Sequence, residues 1–323
     1  MSTTLTPPPE RDFPAARLEQ RKEQLVSQIH SEQELSRAPA PRRRWPVAAG
    51  AVAGLAAIAA AVLALLPAGD AGGPSPAAAA VLLHAARTAA EQPTTNPPGA
   101  GQFVFTKSEG VFEGTTAPVG GRAFKTVQQY TRQQWIGPDG SGRILQVAGT
   151  PQLVTSADRA AWIADGKPDL ADSTGNINVT LKRGDGYYLD LSNVPTDPGA
   201  LKQLIEQRKL ESGPSGDAET FTIIGDLLRD SYAPPEVRSA LYQVAAELPG
   251  VQLIGAVHDQ LGRPGTAVGY TSNGNTQELI IDPQTSALLA EQTIASSGAV
   301  VGWTAYLSSG VVDSTSATVA TTP

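Results

Sequence analysis

Histidines and carboxylates are the side chains of this sequence that could perform acid–base or metal chemistry. The chain has three histidines and no cysteine, which excludes thiolate catalysis, disulfides and cysteine-based zinc or iron–sulfur sites. His258 is followed by Asp259 at a predicted strand end, where the two could act as a base and its carboxylate partner. Because no nucleophile or second ligand lies nearby in the sequence, a solvated or structural histidine is the alternative.

Neighbouring carboxylates are the second group of candidates, since two such groups can hydrolyse a glycosidic bond. Asp185 and Asp190 are close in sequence, as are Asp226 and Asp230. A Gly-Asp-Gly turn explains Asp185, and the exposed side of an amphipathic helix explains Asp226 and Asp230. No nucleophile elbow, P-loop, zinc-protease or calcium-loop motif occurs. We therefore expect no catalytic residue, no metal site and no cofactor.

Aromatic residues make up only 5% of the chain, and several of them fall in predicted strands. They could line a cleft for an apolar or sugar-like ligand, and they could equally form the ordinary core of a sheet. The candidates for the cleft are Phe103, Phe105, Tyr130, Trp135 and Tyr187.

Alternating apolar residues predict strands in two parts of the chain. The predicted strands are 102–109, 125–136, 143–148, 177–181 and 187–191, followed later by 251–259, 266–272, 277–282, 287–295 and 300–307. Turn sequences separate many of them, among them Gly-Pro-Asp-Gly at 137–140 and Asn-Gly-Asn at 273–275.

Three helices are predicted between these two groups of strands. The first is capped by Thr196 or Asp197, the second opens at Asp217, and the third carries apolar residues from Val237 to Leu248. Strands, then helices, then strands favour an α+β fold in which helices pack on one face of an antiparallel β-sheet.

The stretch 47–66 consists of twenty uncharged residues. This length is sufficient for a helix that spans a bilayer. A buried soluble helix is the alternative. Arg42, Arg43 and Arg44 precede the stretch, and Trp45 suits the headgroup level. Residues 67–76, which follow it, carry one acid and no base. Since basic residues stay on the cytoplasmic side, we expect the N-terminus inside and the C-terminal bulk outside. The lengths favour an uncleaved signal anchor over a cleaved signal peptide.

This topology divides the chain into five segments. They are a partly helical cytoplasmic segment (1–44), a transmembrane helix (45–66), a linker with a juxtamembrane helix (67–101), an extracytoplasmic α+β domain (102–308) and a flexible tail (309–323). Val81, Leu82 and Leu83 form the apolar patch of the juxtamembrane helix. The net charge of −7 argues against a nucleic-acid binder.

A series of motifs resembles an uncharacterised family of actinobacterial single-pass membrane proteins. The motifs are RRRW at 42–45, GQFVF at 101–105, YYLDLSNVPTDPGAL at 187–201, APPEVRSALY at 233–242, ELPGV at 247–251, LGRPGTAVGY at 261–270 and LIIDPQTSALL at 279–289. The last motif usually ends in Thr-Gly, and Thr285-Ser286 departs from it, which leaves the turn type open. The resemblance implies topology and no catalytic residue.

The pattern from Asp259 through GRP and LIIDPQT is similar to lipoprotein-carrier and sigma-regulator sensor domains. That similarity implies a half-barrel, a half-open antiparallel sheet with helices in its concavity. It is a likeness of folds and does not by itself establish ligand binding.

Three classes of function fit these observations. The first is a membrane-anchored extracytoplasmic binding or sensing module without catalysis, whose partner is a hydrophobic ligand or an envelope protein. The second is a transmembrane regulator of the anti-sigma type, whose cytoplasmic helix binds a transcription factor. The third is a carboxylate-dependent envelope hydrolase.

Overall fold

The computed structural model describes seven stretches of the chain, all within one compact unit. They are residues 75–93, 98–116, 121–170, 175–183, 194–212, 216–229 and 233–320. No helix in these stretches is long and apolar enough to cross a membrane. The predicted span, with Arg42, Arg43, Arg44 and Trp45, lies outside the described residues.

Helices and strands are both present, so the prediction of an α+β fold is confirmed. The helices are α1 (Pro76–Ala90), α2 (Ser156–Ala164), α3 (Pro198–Ser212), α4 (Asp217–Arg229) and α5 (Pro235–Glu247). The strands are β1 (Phe103–Thr116), β2 (Phe124–Ile136), β3 (Gly142–Ala148), β4 (Gln152–Leu153), β5 (Ile177–Leu181), β6 (Val251–His258), β7 (Pro264–Ser272), β8 (Asn275–Ile281), β9 (Leu288–Ile294) and β10 (Val300–Val312). The predicted strand 187–191 lies outside the described residues.

The ten strands form one sheet in the order β5-β3-β2-β1-β10-β9-β8-β7-β6, with β4 paired to β2. Each pairing is antiparallel, as the sequence predicts. The two groups of strands meet where β1 pairs with β10, from Phe103 opposite Val312 to Phe112 opposite Gly302. Strand β1 continues beyond its predicted end at Glu109, and β10 continues beyond its predicted end at Leu307. Each strand extends further because the other provides it with backbone hydrogen-bond partners. The half-barrel curvature stays a prediction.

Turn chemistry sets the register of the hairpins. Asn273 and Gly274 have φ values of 51° and 80°, as a two-residue type I′ turn between β7 and β8 requires. In the turn between β2 and β3, Gly140 N donates to Gly137 O at 2.9 Å. Position 142, after that turn, must be glycine, because a Cβ there would lie 1.8 Å from Trp135 O.

Helices α1, α3, α4 and α5 form a layer on one face of the sheet, in contact with β6, β7 and β9. Asp197 caps α3, since its Oδ1 accepts from Ala200 N at 2.8 Å. The shared core includes Phe221, Leu241 and Tyr242 from the helices and Leu279 from β8, all essentially buried. Burying such side chains contributes about 1.5–3 kcal/mol each, and drives the docking of the layer.

Helix α1 belongs to this layer, although the sequence analysis assigned it to the linker. Ser75 caps it, and Ser75 N donates to Val251 O at 3.3 Å, which fixes its start against β6. Leu82 is fully buried, whereas Leu83 is 46% exposed, so the predicted apolar patch is divided between core and solvent. The inward face is otherwise mostly alanine, which lets α1 approach α5 closely.

The opposite face of the sheet has two further apolar clusters. One consists of Ala267, Ile280, Ala290 and Ala305, and the other is centred on Phe105, Trp135 and Val312. Ser308 lies within β10, and residues 313–320, which we call the strap, fold back over the second cluster through Ala317 and Val319. The described residues of the predicted flexible tail (309–323) are packed as far as Val319, where they cover aromatic side chains.

Candidate functional site

The predicted cleft aromatics lie on both faces of the sheet. Phe105 and Trp135 are register partners with ring centroids 5.4 Å apart, and at most 2% of either residue is exposed. Phe103 packs beside them. Tyr130 is five residues before Trp135, and alternation along β2 places it on the helix-covered face. Tyr187 lies outside the described residues.

Tyr130 belongs to a different environment. Its hydroxyl is 2.5 Å from Thr304 Oγ1 on β10, and its ring centroid is 5.8 Å from that of Phe112. The structure therefore brings Phe103, Phe105 and Trp135 together and separates Tyr130 from them. The burial of Phe105 and Trp135 matches the core interpretation of these aromatics.

The strap packs Ala317 and Val319 against the Phe105–Trp135 cluster and accepts two hydrogen bonds through its backbone. Trp135 Nε1 donates to Ala317 O at 2.6 Å, and Ser308 Oγ donates to Val319 O at 3.4 Å. A Cβ at Gly310 would lie 2.9 Å from the Val319 side chain, so the glycine leaves room for the valine. The surface of Phe105, Trp135, Ser308 and Gly310, which we call the groove, thus binds main-chain carbonyls of alternate strap residues.

A cavity of about 280 Å³ opens between α1 and the sheet, on the helix-covered face. Its wall consists of Ala80, Val81, His84 and Ala85 of α1, Thr266 of β7, Ile281 of β8 and Pro283. The wall is apolar except at His84 and Thr266. The volume lies just below the range of roughly 300–1,000 Å³ that small-molecule sites occupy. An apolar chain or ring with one polar end fits such a site.

A partly exposed ion pair connects α4 to β9, with 38% of the Arg229 side chain and 12% of the Glu291 side chain exposed. Arg229 Nη2 is 2.9 Å from Glu291 Oε2 and 2.7 Å from Asp226 Oδ1. Burial raises the pKa of the Glu291 carboxyl, although the positive charge of Arg229 opposes this. Burial and the charge of Glu291 raise the pKa of the Tyr306 hydroxyl.

Tyr306 and Glu291 also leave polar atoms unsatisfied. Among the described residues, neither Glu291 Oε1 nor the Tyr306 hydroxyl has a partner at hydrogen-bonding geometry, although the two groups influence each other's pKa. The sequence does not predict this cluster, because no local pattern shows that Glu291 lies opposite Leu279 on the helix-covered face. The Arg229–Glu291 ion pair joins α4 to β9.

The sequence-based catalytic candidates are not assembled into a site in the described part of the chain. The Asp259 side chain is fully buried and bonded to Arg263, so the His258–Asp259 pair does not have a free carboxylate. Asp226 pairs with Arg229, while Asp185, Asp190 and Asp230 lie outside the described residues. No group of three or more potential metal ligands occurs among the residues that the structure describes.

No protein-family model matches the sequence, and no curated protein does. Some solved structures show a weak similarity. A crystal structure of MucB in complex with MucA(peri) is 13% identical, with 73% of this chain and 56% of that chain covered and a TM-score of 0.27. The complex structure of Pseudomonas aeruginosa MucA/MucB is 11% identical, with coverages of 74% and 58% and a TM-score of 0.23.

A further crystal structure of MucB is 14% identical, covers 77% of this chain and 62% of that chain, and has a TM-score of 0.24. This chain thus spans less than two thirds of each of the three matched chains. The membership of the actinobacterial family stays a prediction.

Proposed function

We propose that this protein is a non-catalytic binding module that takes the apolar part of a small amphiphile into the cavity beneath α1. The single observation that supports this function is the cavity itself, whose wall is apolar except for two side chains at α1 and β7. Ala80, His84 and Pro283 are exposed, so the cavity is open to solvent. An apolar group that binds there removes apolar wall from water, which is favourable.

The position of the cavity supports a sensing role. Four of its lining residues belong to α1, and only a short linker separates α1 from the predicted membrane span. A ligand between α1 and the strands contacts the helix that follows the span in sequence. In this proposal residues 47–66 anchor the protein in the cytoplasmic membrane, and the domain that follows is extracytoplasmic.

Two matched variants test the binding site. Ala80 is an exposed lining residue, and Ala80→Phe is expected to fill the cavity mouth without disturbing the core. Ala90→Phe makes the same change at an exposed position of α1 that does not line the cavity. Decanoic acid is the probe, and native mass spectrometry of the full chain released from detergent micelles is the measurement.

We expect the wild-type protein and Ala90→Phe to retain one decanoate, and Ala80→Phe to lose it. Retention that is equal in the two variants, or no retention by the wild-type protein, would reject the cavity as the binding site. A separate experiment tests the anchor, since a tag after Pro323 should be digested by protease added to intact cells. A protected tag would reject the extracytoplasmic location.

A further inference from the structure

The strap differs from the strands on which it lies. Its exposure alternates, with Ser316, Thr318 and Ala320 exposed and Ala317 and Val319 half-buried toward the sheet. This is the pattern of an extended segment with one face in contact. Among the described residues, however, no backbone–backbone hydrogen bond joins the strap to a strand of the sheet.

The strap covers this apolar cluster with few side chains. Phe105 and Trp135 are large buried aromatic residues of the cluster, and the strap contributes Ala317 and Val319 to it. The groove provides two hydrogen bonds, from Trp135 Nε1 and Ser308 Oγ, and both are accepted by main-chain carbonyls. Carbonyl groups occur at every residue of any peptide, so these donors do not require the sequence of the strap.

We propose that Phe105, Trp135, Ser308 and Gly310 form a peptide-binding groove that the strap occupies in the structure, and that an extended segment of a partner protein replaces it. The contacts of the strap define the chemistry of that segment. It has a small residue over Trp135, a β-branched apolar residue over Gly310 two positions later, and polar residues between and beside them. Replacement of the strap by a partner segment is favoured over its release alone, because release would expose the rings of Phe105 and Trp135 to water.

This groove lies on the sheet face opposite the cavity beneath α1, so the inference goes beyond the proposed function and is tested with different variants. Val319→Asp places a charge against Phe105 and Gly310, which should release the strap. Thr318→Asp is the matched control, since it adds the same charge at the exposed neighbouring residue. Circular dichroism establishes that both full-length variants are folded.

The probe is a fluorescein-labelled peptide with the sequence of residues 313–323, and fluorescence anisotropy is the measurement. We expect the Val319→Asp protein to bind the peptide at least about tenfold more tightly than the Thr318→Asp protein does, because its own strap no longer competes. A peptide with Asp in place of its valine should bind at least about tenfold more weakly, which tests the groove without changing the protein.

Equal binding by the two proteins would overturn the proposal, as would equal binding of the two peptides. Absence of binding to a folded Val319→Asp protein would overturn it as well, since the strap would then be a fixed part of the fold.

Discussion

Arg263 binds Asp259 across the β6–β7 turn through two guanidinium nitrogens. Asp259 Oδ2 lies 2.7 Å from Arg263 Nε and 2.6 Å from Arg263 Nη2. The same guanidinium donates to Tyr306 O and Leu289 O, both at 2.7 Å. These carbonyls lie one residue beyond the last ladder pair of β9 and β10. Arg263 therefore continues the connection between the two strands where the ladder stops.

Arg263→Lys is expected to destabilise the protein by about 2–4 kcal/mol. Lysine keeps the charge, but its ammonium cannot satisfy the Asp259 carboxylate and two carbonyls in one plane. The shift in the midpoint of urea unfolding measures the effect. Arg122→Lys is the control, because Arg122 is 59% exposed and 3.6 Å from Asp165, and it should change stability by less than about 0.5 kcal/mol. Equal effects of the two substitutions would contradict this role of Arg263.

Ser286 provides a second test, which bears on the departure from the Thr-Gly ending of the family motif. The residue has a φ of 58° and is fully buried, so serine adopts the left-handed conformation that glycine prefers. Tyr242 Oη donates to Ser286 O at 2.6 Å and holds the turn in place. Serine thus adopts a left-handed conformation at the position where the resembling motif has glycine.

Ser286→Gly should be more stable than Ser286→Ala by about 1 kcal/mol, because both lose the hydroxyl and only alanine keeps the Cβ strain. Thermal unfolding of the two variants measures the difference. An alanine variant as stable as the glycine variant would show that the conformation is not strained.

The buried carboxyl of Glu291 makes stability depend on pH. Burial raises its pKa in the folded state, so the folded protein holds a proton at a pH where the unfolded chain has lost it. The stability that this bound proton provides is fully present below the pKa of the unfolded chain, roughly 4.3. It is lost as the pH rises through the higher pKa of the folded protein, by at most about 1.4 kcal/mol per pH unit.

Glu291→Gln should reduce this fall in stability, measured by urea unfolding between about pH 4 and pH 8. Arg229, Asp226 and Tyr306 surround the carboxyl and remain in the variant. Glu247→Gln is the control, since that side chain is 67% exposed. If the glutamine at 291 keeps the wild-type pH dependence, Glu291 is not its source.

Local signals in the sequence predicted the hairpins well. The turn between β7 and β8 requires positive φ at its two central residues, and Asn273 and Gly274 both adopt it readily. Alternating apolar residues on each side of the turn predict the two strands that pair there. The residues that give the prediction are therefore the residues that form the hairpin. Asp197 was one of two predicted caps for α3, and its carboxylate is the one that accepts from Ala200 N. Such features depend on neighbours in sequence.

Contacts between distant segments could not be predicted in this way. The pairing of Phe103 with Val312 joins the two ends of the domain, and no local pattern specifies it. The strap over Trp135 and the ion pair between Arg229 and Glu291 depend on that same arrangement. The sequence left the aromatic set between a cleft and a sheet core, because strand propensity does not tell which face of the sheet a residue occupies until the register is known.

The place of α1 in the core gives a direct comparison of two adjacent leucines. Leu82→Ala should cost about 2–5 kcal/mol, since its side chain is fully buried against α5 and the sheet. Leu83→Ala should change stability by less than about 0.5 kcal/mol, since Leu83 is 46% exposed. Urea unfolding measures both. Similar small effects would mean that α1 is a linker element, as the sequence suggested.

Trp135 connects the strap to the sheet through its indole N–H, and phenylalanine at this buried position keeps an aromatic ring while it removes the N–H and part of the apolar contact. Trp135→Phe deletes the donor to Ala317 O and should increase the rate of proteolytic cleavage within residues 313–320 several-fold, because local opening becomes easier by about one hydrogen bond, roughly 1 kcal/mol. Limited proteolysis followed by mass spectrometry locates and times the cleavage.

Trp162→Phe is the matched control, because Trp162 Nε1 also donates to a backbone carbonyl, Pro168 O, at 2.8 Å. It removes the same kind of hydrogen bond at a position distant in sequence from the strap and should leave strap cleavage unchanged. Faster strap cleavage in both variants would point to a general loss of stability, whereas faster cleavage in Trp135→Phe alone assigns the effect to the indole. The strap then opens separately from the domain, as replacement by a partner segment requires.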